Sequence, residues 1–208
     1  MRILLTGFGP FGEEDVNPSS TVAIEASRRL REAGYEAKAL ELPVSYRRAG
    51  QMIENAVAEY KPWLAIALGL YGGVTHVRVE RVALNIMDFS TSDVDGAQPV
   101  DEPVDPEGPP AYFSSIPTRR VVERLRAEGI PAALSYSAGT YLCNYVMYKL
   151  LRLSDVRGAP VRAGFIHLPY TPELASRKKG LPPSLPLELQ VKAVLIAVEE
   201  SLKNAGKH

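Results

Sequence analysis

The chain has 208 residues, of which 46% are hydrophobic, so it is long enough and apolar enough to bury an ample α/β core and is not a disordered polymer. Lys+Arg and Asp+Glu both number 24, and this balance argues against a partner that is a polyanion, nucleic acid or membrane surface. The single cysteine excludes an internal disulfide, fits a reducing cytoplasm and leaves one free thiol to be explained.

The elements alternate along the chain. Strands are expected over residues 2–7, 35–42, 63–68, 77–86, 132–137 and 161–168. Several are continuous apolar runs, as in strands covered on both faces. Helices are expected over residues 19–33, 46–60, 118–128, 140–152 and 186–204. Asn17 can cap the first of these, and Pro18 suits its first turn. The last carries Leu187, Val191, Val194, Leu195, Val198 and Leu202, one apolar face at helical spacing. This order predicts one α/β domain over residues 1–208, a three-layer α/β/α sandwich around a largely parallel or mixed twisted sheet. The opening MRILLTGFGPFG reads as neither a signal peptide nor a membrane span. Residues 90–115 and 171–186 show no periodicity and read equally as surface loops or as binding loops.

Residues 7–12, GFGPFG, spell the glycine spacing of a dinucleotide fingerprint after a strand. Pro10 and Phe11 interrupt the turn, the helix begins only near Pro18, and Glu41 lies too far on for the ribose-binding acid. A nucleoside- or nucleotide-binding protein therefore stands as an alternative. A plain glycine turn and an apolar pocket lined by Phe8 and Phe11 are the other readings of this segment. The histidines, His76, His167 and His208, have no ligand spacing, so no metal site is expected.

Cys143 follows Ala138 and Gly139 where a strand gives way to a helix. A lone cysteine is ordinarily core packing. In the first turn of a helix, however, unpaired amides favour a thiolate and can hold an oxyanion, and the helix N-terminus together with His167 is expected to acidify the thiol. A cysteine nucleophile needs a base and a group to orient it. His167 lies at the carboxyl end of an apolar strand, where the Cys143 turn should also lie, although a core histidine is an equal reading. The orienting acid can be Glu80, Asp88, Asp93 or Asp95. Glu80 sits inside an apolar run and needs a partner, and Arg78 or Arg81 can supply a purely structural one.

Four segments in order, TGFGPFG with NPS, VERVALNIMD, SAGTYLCN and GFIHLPY, resemble the motifs of the type I pyroglutamyl peptidases, or pyrrolidone-carboxylate peptidases. The likeness covers nearly the whole chain. It implies a cysteine exopeptidase, without metal or cofactor, that removes an N-terminal pyroglutamyl residue from peptides. It also implies an α/β/α sandwich often assembled as a tetramer. By this resemblance Cys143 is the nucleophile, His167 the general base and acid, and Glu80 the group that orients His167. Phe8 and Phe11 would sandwich the lactam ring, Tyr141 and Leu142 close the pocket, and the Cys143 amide hold the oxyanion. Two positions depart from the family pattern. Ser90 stands where an arginine is common, and Leu70 where a glutamine is common. The first leaves a weakly active or non-catalytic relative as a further alternative, and the second is tolerable if that residue serves through its backbone and implies a changed substrate range if its side chain serves.

Overall fold

Four parallel strands form the centre of the molecule: β1 (Arg2–Phe8), β2 (Glu36–Leu42), β3 (Leu64–Leu70) and β8 (Arg162–Leu168). The computed structural model describes residues 1–12, 15–160 and 162–203. Val161, Asn204 and His208, which carry the first residue of the last expected strand, the end of the last expected helix and one of the three histidines, lie outside the described residues. Two further strands, β4 (Val77–Glu80) and β7 (Ala132–Ser135), complete a six-stranded sheet in the order β2-β1-β3-β8-β4-β7. β4 runs antiparallel to β8 and parallel to β7, so the sheet is mixed. A separate antiparallel pair joins β5 (Val82–Leu84) to β6 (Ala111–Phe113).

Helices cover both faces. On one, α1 (Pro18–Glu32), α3 (Thr118–Ala127) and α6 (Leu187–Lys203) pack an aliphatic core with Ile3, Leu5, Ile66, Val79 and Ile166. On the other, α2 (Tyr46–Tyr60) and α4 (Leu142–Arg157) bury Leu4, Ala65, Ala67, Ala163 and Phe165. A short turn of helix, α5 (Pro172–Ala175), follows β8. The alternation of faces along each strand is the period of two that a pleated strand imposes. This is the three-layer arrangement expected from the alternating elements.

Local chemistry sets the ends. Asn17 caps α1 by accepting the Ser19 amide, with Pro18 in the first turn, as expected. Ser45 caps α2 through the Arg48 amide. Gly158, at φ +64°, terminates α4 in the left-handed region.

Three expectations are corrected. The run 77–86 is not one strand: it breaks at Arg81, whose amide donates to Ser135 and whose carbonyl accepts from Ser114, and β5 then leaves the main sheet. Periodicity cannot register this break, because both halves are apolar and only their partners differ. The segments 90–115 and 171–186 hold β6 and α5, each too short to display a period. Finally, α4 begins at Leu142 instead of Thr140 and runs to Arg157, because the Thr140 carbonyl and hydroxyl are committed to Asp88.

Candidate active site

The carboxyl ends of β1, β3 and β8 meet the first turn of α4, and chemistry gathers there. Cys143 is the second residue of α4 and a free thiol. No side chain among the described residues caps this helix. The amides of its first turn therefore keep the donor capacity that helix N-termini leave unused. The strand-to-helix loop is tied down instead by Asp88, whose amide donates to the Thr140 carbonyl (3.2 Å) and whose carbonyl accepts from the Thr140 hydroxyl (2.7 Å).

The sulfur lies over β3. A Cβ placed on Gly69 would sit 2.9 Å from Cys143 Sγ and 2.8 Å from Phe165 Cζ, so only glycine lets helix and strand approach this closely. Gly69 is the register partner of His167 on β8. That places the thiol and the imidazole at the same level of neighbouring strands.

Behind the imidazole, the β4–β8 pairing sets Arg78 opposite His167 and Glu80 opposite Phe165. Residues two apart share a face, so Arg78, Glu80, Phe165 and His167 all lie on the α4 side. His167 Nδ1 is 2.8 Å from Glu80 Oε1, with both residues buried at 2% and 0% exposure. A carboxylate only accepts, so Nδ1 carries the proton and Nε2 is left as the acceptor. The rings of Phe165 and Tyr71 flank the imidazole at 4.8 and 5.3 Å.

The other candidate acids are engaged elsewhere. Asp93 accepts the amides of Tyr46, Asp95 and Ala97, and Asp95 pairs with Arg48. The Asp88 side chain is exposed, and its backbone serves the Cys143 loop. Among the candidate acids, Glu80 alone bonds His167 among the described residues. Arg81 donates to Thr118, whereas Arg78 does reach Glu80, as considered below.

A cavity of about 320 Å³ opens beside the thiol. Phe8, Phe11, Leu70, Tyr141 and Leu142 all line it together with Cys143, so the expected pocket residues come together. Sequence reasoning did not assign Val16, Asn17, Val44, Thr91 and Tyr170 to the pocket, although Asn17 and Tyr170 lie in the NPS and GFIHLPY segments. No charged side chain lines the cavity among the described residues. Burial, with Asp93 and Cys143 nearby, pushes the Tyr141 hydroxyl up to about 12, so it too stays neutral. Ser90 is exposed, and its neighbour Thr91 contributes to the wall instead.

The surroundings of the thiol oppose the expected acidification. Burial, and secondarily the Glu80 carboxylate, push Cys143 up to about 12. Magnitudes decide this contest. A helix N-terminus contributes about 0.3–2 kcal/mol toward the thiolate. Desolvation can shift a fully buried group by about 3–5 units, at about 1.36 kcal/mol per unit, and Cys143, half-buried on the cavity wall, feels part of that penalty.

A second residue of the cysteine segment was also missed. Asn144 is fully buried, accepts the Leu84 amide at 2.8 Å, and donates to the Leu84 and Ile86 carbonyls at 2.8 and 3.0 Å. It fastens the chain after Glu80 to the helix that carries Cys143.

The glycine turn does not form a nucleotide cradle. The Phe8 amide donates to Ser19 Oγ, and Asn17 Nδ2 to the Gly9 carbonyl, so the chain's own side chains occupy the start of α1. A Cβ on Gly7 would lie 2.3 Å from the Ser19 carbonyl oxygen, so this glycine serves strand–helix contact. The nucleotide-binding alternative is not favoured.

The sequence model of the family described as pyroglutamyl peptidase matches residues 1–204. The chain belongs to the pyroglutamyl peptidase family. It is 43% identical over 206 residues to the pyrrolidone-carboxylate peptidase of Thermococcus litoralis, covering 97% of this chain and 93% of that one. The corresponding Pyrococcus furiosus peptidase is 40% identical, with 98% and 99% covered. Pyrrolidone carboxyl peptidase structures agree. That of the T. litoralis protein superposes with a TM-score of 0.91 over 99% of this chain and 95% of that one, at 42% identity. The crystal structure of a mutant P. furiosus peptidase gives 0.94 over 99% and 100%, at 38% identity. Within the pyroglutamyl peptidase family, then, this member is a cysteine hydrolase. No helix among its described residues is long and apolar enough to cross a membrane.

Proposed function

We propose that the chain removes N-terminal pyroglutamyl residues from peptides, with Cys143 as nucleophile, His167 as general base and acid, and Glu80 holding His167 in position. The observation that carries this reading is a thiol on the wall of a cavity that no charged side chain lines among the described residues, set level with a buried histidine–carboxylate pair. Pyroglutamate is a neutral lactam without a free α-amine. A site for it needs apolar walls and neutral hydrogen-bonding groups, not a carboxylate to receive an ammonium. Phe8 and Phe11 supply ring faces, while Tyr141 and Leu142 adjoin the nucleophile.

With its thiol protonated at rest, Cys143 passes its proton to His167 Nε2 as its sulfur attacks the scissile carbonyl. The Cys143 amide, in the uncapped first turn of α4, is the oxyanion donor. His167 returns the proton to the leaving amine as the carbon–nitrogen bond breaks, leaving a thioester. It then takes a proton from the water that attacks the thioester and returns it to the departing sulfur as the carbon–sulfur bond breaks, releasing pyroglutamate and the free thiol. Glu80 stabilises the imidazolium in both halves without itself accepting the proton. The oxyanion rests on neutral backbone donors, as suits a chain with Ser90 at the arginine position.

The chain acts in this proposal as one peptidase domain over residues 1–208, in the cytoplasm, as a homotetramer and without a cofactor. Light scattering after size exclusion reads the assembly. The deciding experiment is release of a fluorescent amine from a pyroglutamyl amide beside the matching prolyl amide, with and without iodoacetamide and with EDTA. Cleavage of the pyroglutamyl compound alone, blocked by alkylation and indifferent to EDTA, is expected. Folded protein that cleaves neither compound would overturn the reading.

A further inference from the structure

The Glu80 oxygen that binds His167 has a second partner. Arg78 Nε lies 3.4 Å from Glu80 Oε1, while the other carboxylate oxygen, Oε2, is buried with no hydrogen-bond partner among the described residues. When His167 is neutral, Arg78 is the cation that faces the buried carboxylate. The arginine is itself held from three sides. Its guanidinium carbon stands 4.2 Å from the centre of the Tyr71 ring, the ring that packs against His167. Its Nη2 donates to Ser135 Oγ at 2.7 Å and to the Ser137 carbonyl at 3.4 Å, where the loop toward Cys143 begins. Its side chain is 23% exposed, so its charge is only partly screened.

We propose that Arg78 is a positioning residue for the reaction: its fixed charge keeps Glu80 ionised and opposes protonation of His167 in the resting enzyme. The proposal rests on the reading of His167 as the base. The ionisable groups around the imidazole are Glu80 and Arg78 from β4, Tyr71 beyond the end of β3, and Cys143 from α4. Of these, Glu80 alone attracts the imidazolium, and Arg78 alone repels it. Arg78 weakens that attraction, so the imidazole can both take the thiol proton and release it to the leaving amine. The sign follows directly. Removing a positive charge beside the pair favours the imidazolium, so the active, unprotonated base emerges only at higher pH.

The test compares Arg78→Met, Arg78→Gln and Arg78→Lys with the parent enzyme. The acidic limb of the kcat/KM profile should move up by about one pH unit in the two neutral variants and stay near the parent in the lysine variant. Glutamine retains a donor for Ser135 and serves if the methionine variant does not fold. A merely structural role predicts lower activity at every pH with the limb unmoved in all three, and that result overturns the proposal. An equal shift in the lysine variant overturns it too, because charge would then not be the cause. The imidazole transition of His167, followed by NMR in a Cys143→Ala background, should move up in the same variants. This second readout separates the two failures. A parent enzyme without activity but with a moving transition sinks the proposed reaction and leaves the role of Arg78 standing. An active parent whose limb and transition both stay fixed does the reverse.

Discussion

The two faces of the sheet are built from different materials. The face under α1, α3 and α6 is wholly aliphatic in its buried residues. The face under α2 and α4 holds Phe8, Phe89, Tyr145, Tyr148 and Phe165 and opens into the cavity at Cys143. Aliphatic side chains without polar atoms fill space and ask for nothing else. Aromatic rings give extended flat walls and, in tyrosine, a polar tip that must be met. On this face the rings run in sequence: Phe11 to Tyr141 (6.2 Å), Tyr141 to Phe89 (4.5 Å), Phe89 to Tyr46 (5.9 Å) and Tyr46 to Tyr145 (5.6 Å). The series links the cavity wall to the α2–α4 contact. One face supplies stability, and the other spends part of its packing on shaping a site.

Breaking the reactive centre should leave the aliphatic face untouched. Cys143→Ala should lower turnover by about 10⁵-fold or more with an unchanged melting temperature, since no group then forms the thioester. Turnover within about tenfold of the parent would remove the nucleophile assignment. Glu80→Gln preserves shape but loses the charge and can present an amide donor to His167, so the tautomer is no longer fixed, and a loss of about 10³-fold in kcat is expected. Steady-state kinetics with KM resolved separately is the check, because a binding role would appear in KM instead.

The raised thiol makes the next prediction. With Cys143 at about 12, the thiolate fraction grows about tenfold per pH unit throughout the neutral range. Iodoacetamide inactivation should therefore quicken by about 100-fold between pH 6 and pH 8. A rate already level across that interval would mean a preformed thiolate–imidazolium pair.

Truncation on each face sharpens the contrast. Leu125, fully buried on α3, should lose about 2–5 kcal/mol of stability on change to Ala, read by urea unfolding, with kcat/KM at 25 °C unchanged. Phe89→Leu removes the ring that meets Tyr141 edge-on. It should destabilise by only about 1 kcal/mol yet raise KM several-fold as Tyr141 loosens. Equal functional effects from the two substitutions would mean that the faces are not specialised.

Much of this was written along the chain itself. Apolar runs such as that of β3 and the helical spacing of α6 declare their burial, and Asn17 with Pro18 declares the start of α1, because propensity and capping are local. The cysteine, histidine and glutamate segments were legible for the same reason: each is a short run whose meaning survives without its neighbours. Tertiary structure alone decided the rest. It broke the run 77–86 at Arg81 and turned β4 antiparallel to β8, which is what places Glu80 beneath His167. It added Val44, Thr91 and Tyr170 to the cavity wall and set Arg78 against both Tyr71 and Glu80. It also set burial and the Glu80 carboxylate against the acidity that the helix N-terminus and His167 would confer on Cys143. Desolvation and Coulomb interactions depend on distances between atoms far apart in the chain, and a linear sequence holds no such distances until the sheet has chosen its order.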